Sequence, residues 1–265
     1  MDRYDDLLEL IREKGGLAVA FSGGVDSSLV ALAAFEALGD ASLALMAVNG
    51  TITRDEIEMA RCTAREIGIR FLAVQIEVMD MESIVSNPVD RCGICKRKLM
   101  SDLMDRAVRE GLGDLADGSL TEDREDHRPG LRASDEIGVW HPLMEAGIDK
   151  EATRKILREK GLSSYDRAST TCLATRIPYG ERITRKKLAV IEEVERNVRG
   201  LGFRDVRLRL YSSKGGYLLG VLEVDDPERA FGLWDQIRMV EKELKLVIDP
   251  AGYRQGSMNE PLSNP

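Results

Sequence analysis

The chain has 265 residues, enough for one large hydrophobic core or two ordinary ones, and this length slightly favours two domains. Its net charge of −8 argues against bulk electrostatic binding to nucleic acid or to an anionic membrane. No apolar run approaches the length of a membrane span, and the chain starts with an acidic amphipathic helix, so we expect a cytoplasmic protein without signal peptide or anchor.

The first half of the chain alternates strands with helices. The predicted elements, in chain order, are a strand at Leu17–Phe21, a helix at Leu29–Leu38, a strand at Leu43–Val48, a helix at Arg54–Ile67, a strand at Phe71–Val78 and a helix from about Arg97 to Glu110. Such alternation predicts an α/β fold in which a parallel sheet carries helices on both faces. Ligands of such folds bind at the carboxyl ends of the strands.

The second half is less regular. The polar stretch from Gly118 to Pro142 is too long for an ordinary connection and is predicted to be a functional loop. The elements predicted beyond it are helices at Lys150–Lys160 and Arg185–Gly200, strands at Val206–Leu210 and Tyr217–Val224, a helix at Pro227–Leu244 and a strand at Lys245–Ile248. We therefore expect two domains, residues 1–164 with the parallel sheet and residues 165–265 with a smaller α+β fold.

A glycine turn with hydroxyl groups follows the first strand. It reads SGGVDSS, and its candidate phosphate-binding residues are Ser22, Gly23, Gly24, Asp26, Ser27 and Ser28. Backbone amides, hydroxyls and the positive end of the next helix suit a phosphate or pyrophosphate group, although the lysine of the common GxxxxGKS/T loop is missing. Asp26 would repel that group unless a divalent cation lay between them. The alternative is that Asp26 and the serines only cap a helix.

The complete string is more specific than a glycine turn. SGGVDSS resembles the PP-loop of ATP pyrophosphatases, which cleave ATP between the α and β phosphates. The resemblance implies that ATP and Mg²⁺ are bound, that Asp26 holds the cation, and that the chemistry is adenylation of an acceptor.

Cysteines form a second candidate site. Four cysteines in a protein of this kind are expected to be reduced thiols, metal ligands or nucleophiles. Cys92 and Cys95 are predicted at a turn, with the spacing of a redox pair, half a zinc site or two small buried residues. Cys172 is the natural third ligand or a nucleophile, whereas Cys62 is predicted to be a small packing residue on a helix. Three thiolates without a fourth ligand resemble an iron–sulfur cluster with one open iron more than a closed zinc site.

Basic residues are concentrated near Cys172. Residues 175–214 contain eleven Arg or Lys against five Asp or Glu, in a chain that is acidic overall. Arg207 and Arg209 alternate on a predicted strand, so both guanidinium groups point to one face and fit an anionic ligand such as a phosphate. Arg176 is a weaker candidate for the same task. The alternative is a solvated edge strand.

Three glutamates form a possible acidic site. Glu192 and Glu195 lie on one helix turn and could join Glu223 in a metal site, or they could form a solvated helix face.

Motifs along nearly the whole chain resemble one family. After SGGVDSS come NPVDRCGICK, DHRPGLR, CLATRIPYGERIT and GYRQGSMN, in the order seen in the LarE family of ATP-dependent sulfur transferases. The resemblance implies that a carboxylate of a pyridinium dicarboxylate mononucleotide is adenylated and converted to a thiocarboxylate, a step in making the nickel-pincer nucleotide cofactor. Cys172 matches the sulfur-bearing cysteine, which single-cysteine members sacrifice as dehydroalanine.

The additional cysteines resemble a three-cysteine branch of that family. In that branch Cys92, Cys95 and Cys172 hold a four-iron four-sulfur (4Fe–4S) cluster, and sulfide on the open iron is the sulfur donor, although another donor stays open. Arg207 and Arg209 would hold the phosphate of the substrate. We also expect a homo-oligomer.

Three other functions stay open at this point. A PP-loop tRNA thiolation enzyme also pairs this loop with cluster-binding cysteines, although the acidic composition argues against nucleic acid. An ammonia-using, amide-forming ATP pyrophosphatase needs no cysteines. A non-enzymatic module would bind ATP without releasing pyrophosphate.

Overall fold

The computed structural model describes residues 3–122, 129–168, 170–213, 215, 217–239 and 244–254. The strands are β1 (Leu17–Ala20), β2 (Ser42–Val48), β3 (Arg70–Gln75), β4 (Leu115–Ala116), β5 (Val206–Ser212), β6 (Leu218–Val224) and β7 (Leu244–Ile248). The helices are α1 (Arg3–Arg12), α2 (Val25–Leu38), α3 (Arg54–Ile67), α4 (Glu82–Val85), α5 (Arg91–Arg109), α6 (Pro129–Ile137), α7 (Pro142–Glu145), α8 (Lys150–Glu159), α9 (Arg185–Gly200), α10 (Pro227–Gly232) and α11 (Trp234–Arg238). Among these described helices, none has the length and apolar character needed to cross a membrane.

The chain forms two compact units. One comprises Met1–Val78 with Asp90–Thr170, and the other comprises Met79–Val89 with Thr171–Pro265. The sequence-based boundary places Met79–Val89 in the first domain, whereas the structure groups this segment with the second unit. Contacts with residues far along the chain leave no local signal in the sequence. The domain boundary at residue 164 stays a prediction.

The first unit contains a parallel sheet in the order β3-β2-β1-β4. Helices α2 and α5 both pack on β1 and β2, which confirms the predicted α/β fold. The central strand β1 is almost entirely apolar and buried, as expected for a strand covered on both faces. Strand β4 was not predicted because two residues are too short to show a periodicity.

Two helices of this unit begin earlier than predicted. Helix α2 starts at Val25 rather than Leu29, so the last four residues of SGGVDSS lie in its first turn. Helix α5 starts at Arg91 rather than Arg97 and contains both cysteines of the CxxC pair. The prediction that Cys92 and Cys95 lie at a turn is therefore wrong. The helix includes Gly93, which a helix tolerates at a cost of about 1 kcal/mol.

The second unit contains a three-stranded sheet in the order β5-β6-β7, with β5 antiparallel and β7 parallel to the central strand. Helix α9 packs on β5. The single helix predicted at Pro227–Leu244 is two short helices, α10 and α11, separated at Leu233. Residues 240–243 of that prediction lie outside the described residues.

Candidate functional site

The SGGVDSS loop forms a tight turn between β1 and α2. Gly23 has φ +72°, and a Cβ at this position would lie 2.6 Å from the Cα atom of Ala60 on α3. Only glycine fits both this left-handed conformation and this close approach. Gly23 therefore lets the backbone turn close against α3 before it enters the first turn of α2.

The amino end of α2 is left open to a ligand. Its cap residue, Gly24, has no side chain that could bind the first amide groups of the helix. Ser22 and Ser27 instead bond to each other, with 3.1 Å between their Oγ atoms, and Ser22 Oγ also accepts a bond from the Gly24 amide at 3.2 Å. Ser28 is fully buried, and its hydroxyl has no hydrogen-bond partner among the described residues. Open helix amides of this kind suit an anionic group.

Two cationic side chains from distant parts of the chain lie at the loop. Lys150, the first residue of α8, places its Nζ atom 2.5 and 2.7 Å from the two carboxylate oxygens of Asp26. Arg167 donates to the carbonyl oxygen of Gly23 and, at 3.1 Å, to the hydroxyl of Thr63. Burial lowers the pKa of Arg167, although a guanidinium still stays charged at neutral pH. These two residues supply the positive charge that the loop itself lacks.

Sequence analysis missed both cations. Lys150 is separated from Asp26 by 124 residues, and no local motif marks either Lys150 or Arg167 as a ligand of the loop. The two side chains line a cavity of about 180 Å³ together with loop residues Ser22, Gly24 and Asp26.

A larger cavity of about 340 Å³ shares part of its wall with the loop. Its apolar walls come from β2, from α5 and from the segments that follow β1 and β2. They include Phe21, Leu45, Met46, Ile52, Leu99, Met100 and Leu103. Ser22, Gly24 and Asp26 line both cavities. An apolar cavity that adjoins a cationic one suits a ligand with a flat aromatic part and an anionic part, which is the build of a nucleotide.

The segment after β4 closes one side of the larger cavity. A Cβ at Gly118 would lie 2.6 Å from the backbone nitrogen of Ser27, so this segment touches the phosphate-binding loop directly. Asp117 is buried and accepts bonds from the Nδ1 atom of His141 at 2.7 Å and from Lys96 Nζ at 3.3 Å. Burial would raise the pKa of Asp117, but the bond from His141 and the charge of Lys96 outweigh it and hold this pKa well below its usual range.

The CxxC pair lies on one side of a helix. Cys92 and Cys95 are three positions apart in the first turns of α5 and therefore face in similar directions. Cys92 is exposed and accepts a bond from Arg91 at 3.4 Å, while Cys95 is half-buried. Within the described ranges, no three His, Cys, Asp or Glu side chains come close enough to hold a metal ion. Cys62 is exposed on α3, so its predicted packing role is wrong.

Cys172 in the second unit immediately precedes a short 3₁₀ turn at Leu173–Arg176. Its carbonyl oxygen accepts bonds from the Thr175 hydroxyl at 2.8 Å and from Arg176 Nη1 at 3.1 Å. The Arg176 guanidinium in turn binds the buried carboxylate of Glu195 at 2.9 Å. The backbone that carries the half-buried Cys172 is therefore held by a buried ion pair.

Most candidate anion-binding arginines are already engaged. Arg209 Nη2 donates to Glu223 at 2.9 Å, and both side chains are buried. Arg207 is also buried and lies over the ring of Tyr253, 5.2 Å from its centroid. A solvated strand or helix face is therefore the wrong interpretation for these arginines and for Glu195, whereas substrate binding by Arg176, Arg207 and Arg209 stays a prediction.

Two sequence motifs are described only in part. Residues 126–128 of DHRPGLR and residues 255–259 of GYRQGSMN lie outside the described residues.

Comparison with known proteins identifies relatives over the full length and over the loop region. A family model of NAD synthase matches residues 6–98. An uncharacterized protein of Synechocystis sp. is 32% identical over 98% of this chain and 98% of its own length. The pyridinium-3,5-bisthiocarboxylic acid mononucleotide synthase of Lactiplantibacillus plantarum is 29% identical over 97% of this chain and 94% of its own length. An NH(3)-dependent NAD(+) synthetase of Pyrococcus horikoshii is 36% identical but covers only 33% of the chain. Similarity over nearly the full length to the Synechocystis protein and to the mononucleotide synthase, together with the match of residues 6–98 to the NAD synthase model, shows that the chain belongs to the LarE family of ATP-dependent sulfur transferases.

Proposed function

We propose that the chain adenylates a carboxylate of a pyridinium dicarboxylate mononucleotide and converts it to a thiocarboxylate, in biosynthesis of the nickel-pincer nucleotide. The observation that carries the proposal is the pairing of two cavities at the PP-loop, one apolar and one cationic, in a chain that aligns end to end with a synthase of that product class.

We propose that ATP binds across both cavities in one orientation. The adenine ring occupies the larger cavity, where apolar side chains from β2 and α5 cover its faces. The phosphates cross the open amino end of α2 and extend toward Lys150 and Arg167 in the smaller cavity. This orientation places the bond between the α and β phosphates at the loop residues that both cavities share.

Asp26 is the residue best suited to hold Mg²⁺. Its carboxylate lies in the first turn of α2, lines both cavities and is 27% exposed, so a cation can reach it. Magnesium prefers carboxylate and phosphate oxygens, and when bound it would neutralise charge on the phosphates. Lys150 then becomes free to leave Asp26 for the phosphates.

The reaction consists of two successive displacement steps. A carboxylate oxygen of the substrate attacks the α-phosphorus, and the electron pair of the breaking phosphorus–oxygen bond leaves with pyrophosphate. A sulfur nucleophile at the oxidation level of sulfide then attacks the activated carbonyl carbon, forms a carbon–sulfur bond and expels AMP. Lys150 and Arg167 stabilise the departing pyrophosphate through charge-assisted hydrogen bonds.

The proposal also covers the residues that supply the sulfur. Cys172 matches the sulfur-bearing cysteine of the family, and together with Cys92 and Cys95 it would hold a 4Fe–4S cluster that supplies sulfide. Cys92 and Cys95 lie on one side of α5, but within the described residues no three candidate ligands come together at one point.

Anaerobic purification tests that part. Visible absorption and bound iron would support a cluster if both are lost in each single Cys→Ala variant at Cys92, Cys95 and Cys172. Cys62→Ala is the control and should keep both. A colourless protein whose Cys172 becomes dehydroalanine after one turnover would establish sacrificial transfer instead.

A product assay tests the function. The protein is incubated with Mg·ATP, a pyridinium dicarboxylate mononucleotide and sulfide, and the products are separated by mass spectrometry. We expect pyrophosphate release that depends on the mononucleotide, and a product in which sulfur replaces one carboxylate oxygen. An amide formed with ammonia, or sulfur incorporated into tRNA with no mononucleotide product, would refute the proposal and favour the corresponding alternative.

A further inference from the structure

A histidine lies behind the wall of the larger cavity, between two carboxylates. The Nδ1 atom of His141 is 2.7 Å from Asp117 Oδ1, and its Nε2 atom is 3.1 Å from Asp135 Oδ1. The side chains of His141 and Asp117 are buried, whereas that of Asp135 is 53% exposed. None of these contacts has a role in the chemistry proposed above.

Both ring nitrogens of His141 face acceptors. A carboxylate can only accept, so both hydrogen bonds form only when the ring carries a proton on each nitrogen. Burial would lower the pKa of His141, but its bonds to Asp117 and Asp135 and the charges of these two residues outweigh burial and raise this pKa above its ordinary value. The contacts therefore select the imidazolium.

The same contacts reach the PP-loop. Asp117 uses the oxygen that binds His141 to accept the backbone amide of Ser119 at 3.0 Å. Between them, Gly118 packs against the backbone of Asp26 and Ser27. Residues 117–119 all line the larger cavity. A change in the charge balance around Asp117 is therefore transmitted to the segment that forms this wall.

We infer that His141 is a positioning residue for ATP, which in its charged form holds residues 117–119 against the PP-loop. This inference rests on the proposed function, because it assigns the larger cavity to the nucleotide. Loss of the proton removes the bond to Asp135 and leaves the buried Asp117 with less compensating charge, so the wall loosens and ATP binds more weakly.

The direction of the pH effect follows from the charges around the ring. Within the described ranges, the charged groups that face His141 are Asp117 after β4, Asp135 on α6 and, through Asp117, Lys96 on α5, while Glu145 on α7 binds the indole of Trp140. Two acids lie closest, so the charged ring persists above its ordinary range. ATP affinity should be full below about pH 6.5 and fall as the pH rises through the raised pKa of His141.

The test is a pH series of binding measurements. Calorimetry with Mg²⁺ and α,β-methylene-ATP, which cannot be cleaved at the relevant bond, gives Kd between pH 6 and pH 9 for wild type, Asp135→Asn and His141→Gln. Asp135→Asn removes one of the two acids from an exposed position, so folding is not at risk. We expect the fall in wild-type affinity to be about tenfold for each unit by which ATP raises the pKa of His141, to move to lower pH in Asp135→Asn, and to disappear in His141→Gln.

An NMR titration of the imidazole signals supplies the second measurement. The chain has only two histidines, so His141→Gln assigns the signal by subtraction, and Asp135→Asn should lower its titration midpoint. The inference is overturned if the three binding curves have the same shape, or if the midpoint of His141 does not respond to Asp135→Asn. Absence of Mg·ATP analogue binding at every pH would instead refute the proposed function itself.

Discussion

Lys150→Met is the substitution that most directly tests the assignment of the cationic cavity. It removes the ammonium group that lies 2.5 and 2.7 Å from the oxygens of Asp26 and keeps most of the apolar stem. If Lys150 moves to the phosphates when Mg²⁺ binds Asp26, the variant loses one charge-assisted hydrogen bond to pyrophosphate. Such a bond contributes about 2 kcal/mol, so Kd should rise roughly thirtyfold.

The expected loss of stability is much smaller. The side chains of Lys150 and Asp26 are 36% and 27% exposed, so solvent screens their ion pair. Exposed pairs of this kind contribute about 0.5 kcal/mol to the free energy of unfolding. A large effect on binding with a small effect on thermal unfolding therefore separates a ligand role from a structural one.

Calorimetric titration with inorganic pyrophosphate, with and without Mg²⁺, measures the binding effect. Lys155→Met is the matched control, since Lys155 lies on the same helix, is 74% exposed and lies 3.9 Å from the carboxylate of Glu159. Equal pyrophosphate affinity in the folded Lys150→Met and Lys155→Met proteins would refute the phosphate role of Lys150.

Three further substitutions test the site and its supports. Asp26→Ala should abolish Mg²⁺-dependent pyrophosphate release from ATP with little change in thermal unfolding, and unchanged release would remove Asp26 from the cation site. Gly118→Ala places a Cβ 2.6 Å from the backbone nitrogen of Ser27, so we expect ATP affinity to fall about tenfold and the free energy of unfolding to fall by about 1–3 kcal/mol. Gly113→Ala is the control, because a Cβ there would have no atom within 4 Å. Equal behaviour of the two variants would contradict the close contact at Gly118. Arg209→Ala should lower the free energy of unfolding by about 3 kcal/mol because the buried Glu223 carboxylate loses the guanidinium charge of Arg209, and Arg209→Met with Glu223→Met should recover most of this loss in urea unfolding. An equally large loss in the double variant would show that the ion pair is not the cause.

The local sequence pattern was sufficient to predict the phosphate-binding loop with its flanking strand and helix. A short apolar strand, a glycine turn with hydroxyls and a helix follow one another in the chain, and each forms from the residues within it. The conformation of Gly23 and the open cap at Gly24 depend on residue type at single positions. The sequence by itself therefore determined the parallel α/β fold, the PP-loop and the family motifs, because strand and helix periodicity and loop spacing are local properties.

Tertiary structure alone decided which side chains complete the site. Lys150 and Arg167 lie 124 and 144 residues from their partners in the loop, and His141 lies 24 residues from Asp117. These contacts depend on how α8, the segment after it and β4 pack. Packing also decided that Arg209 is buried against Glu223 instead of solvated. The physical reason is that a hydrogen bond or ion pair is set by distance in space, while alternation and helical periodicity report only which face of an element is apolar.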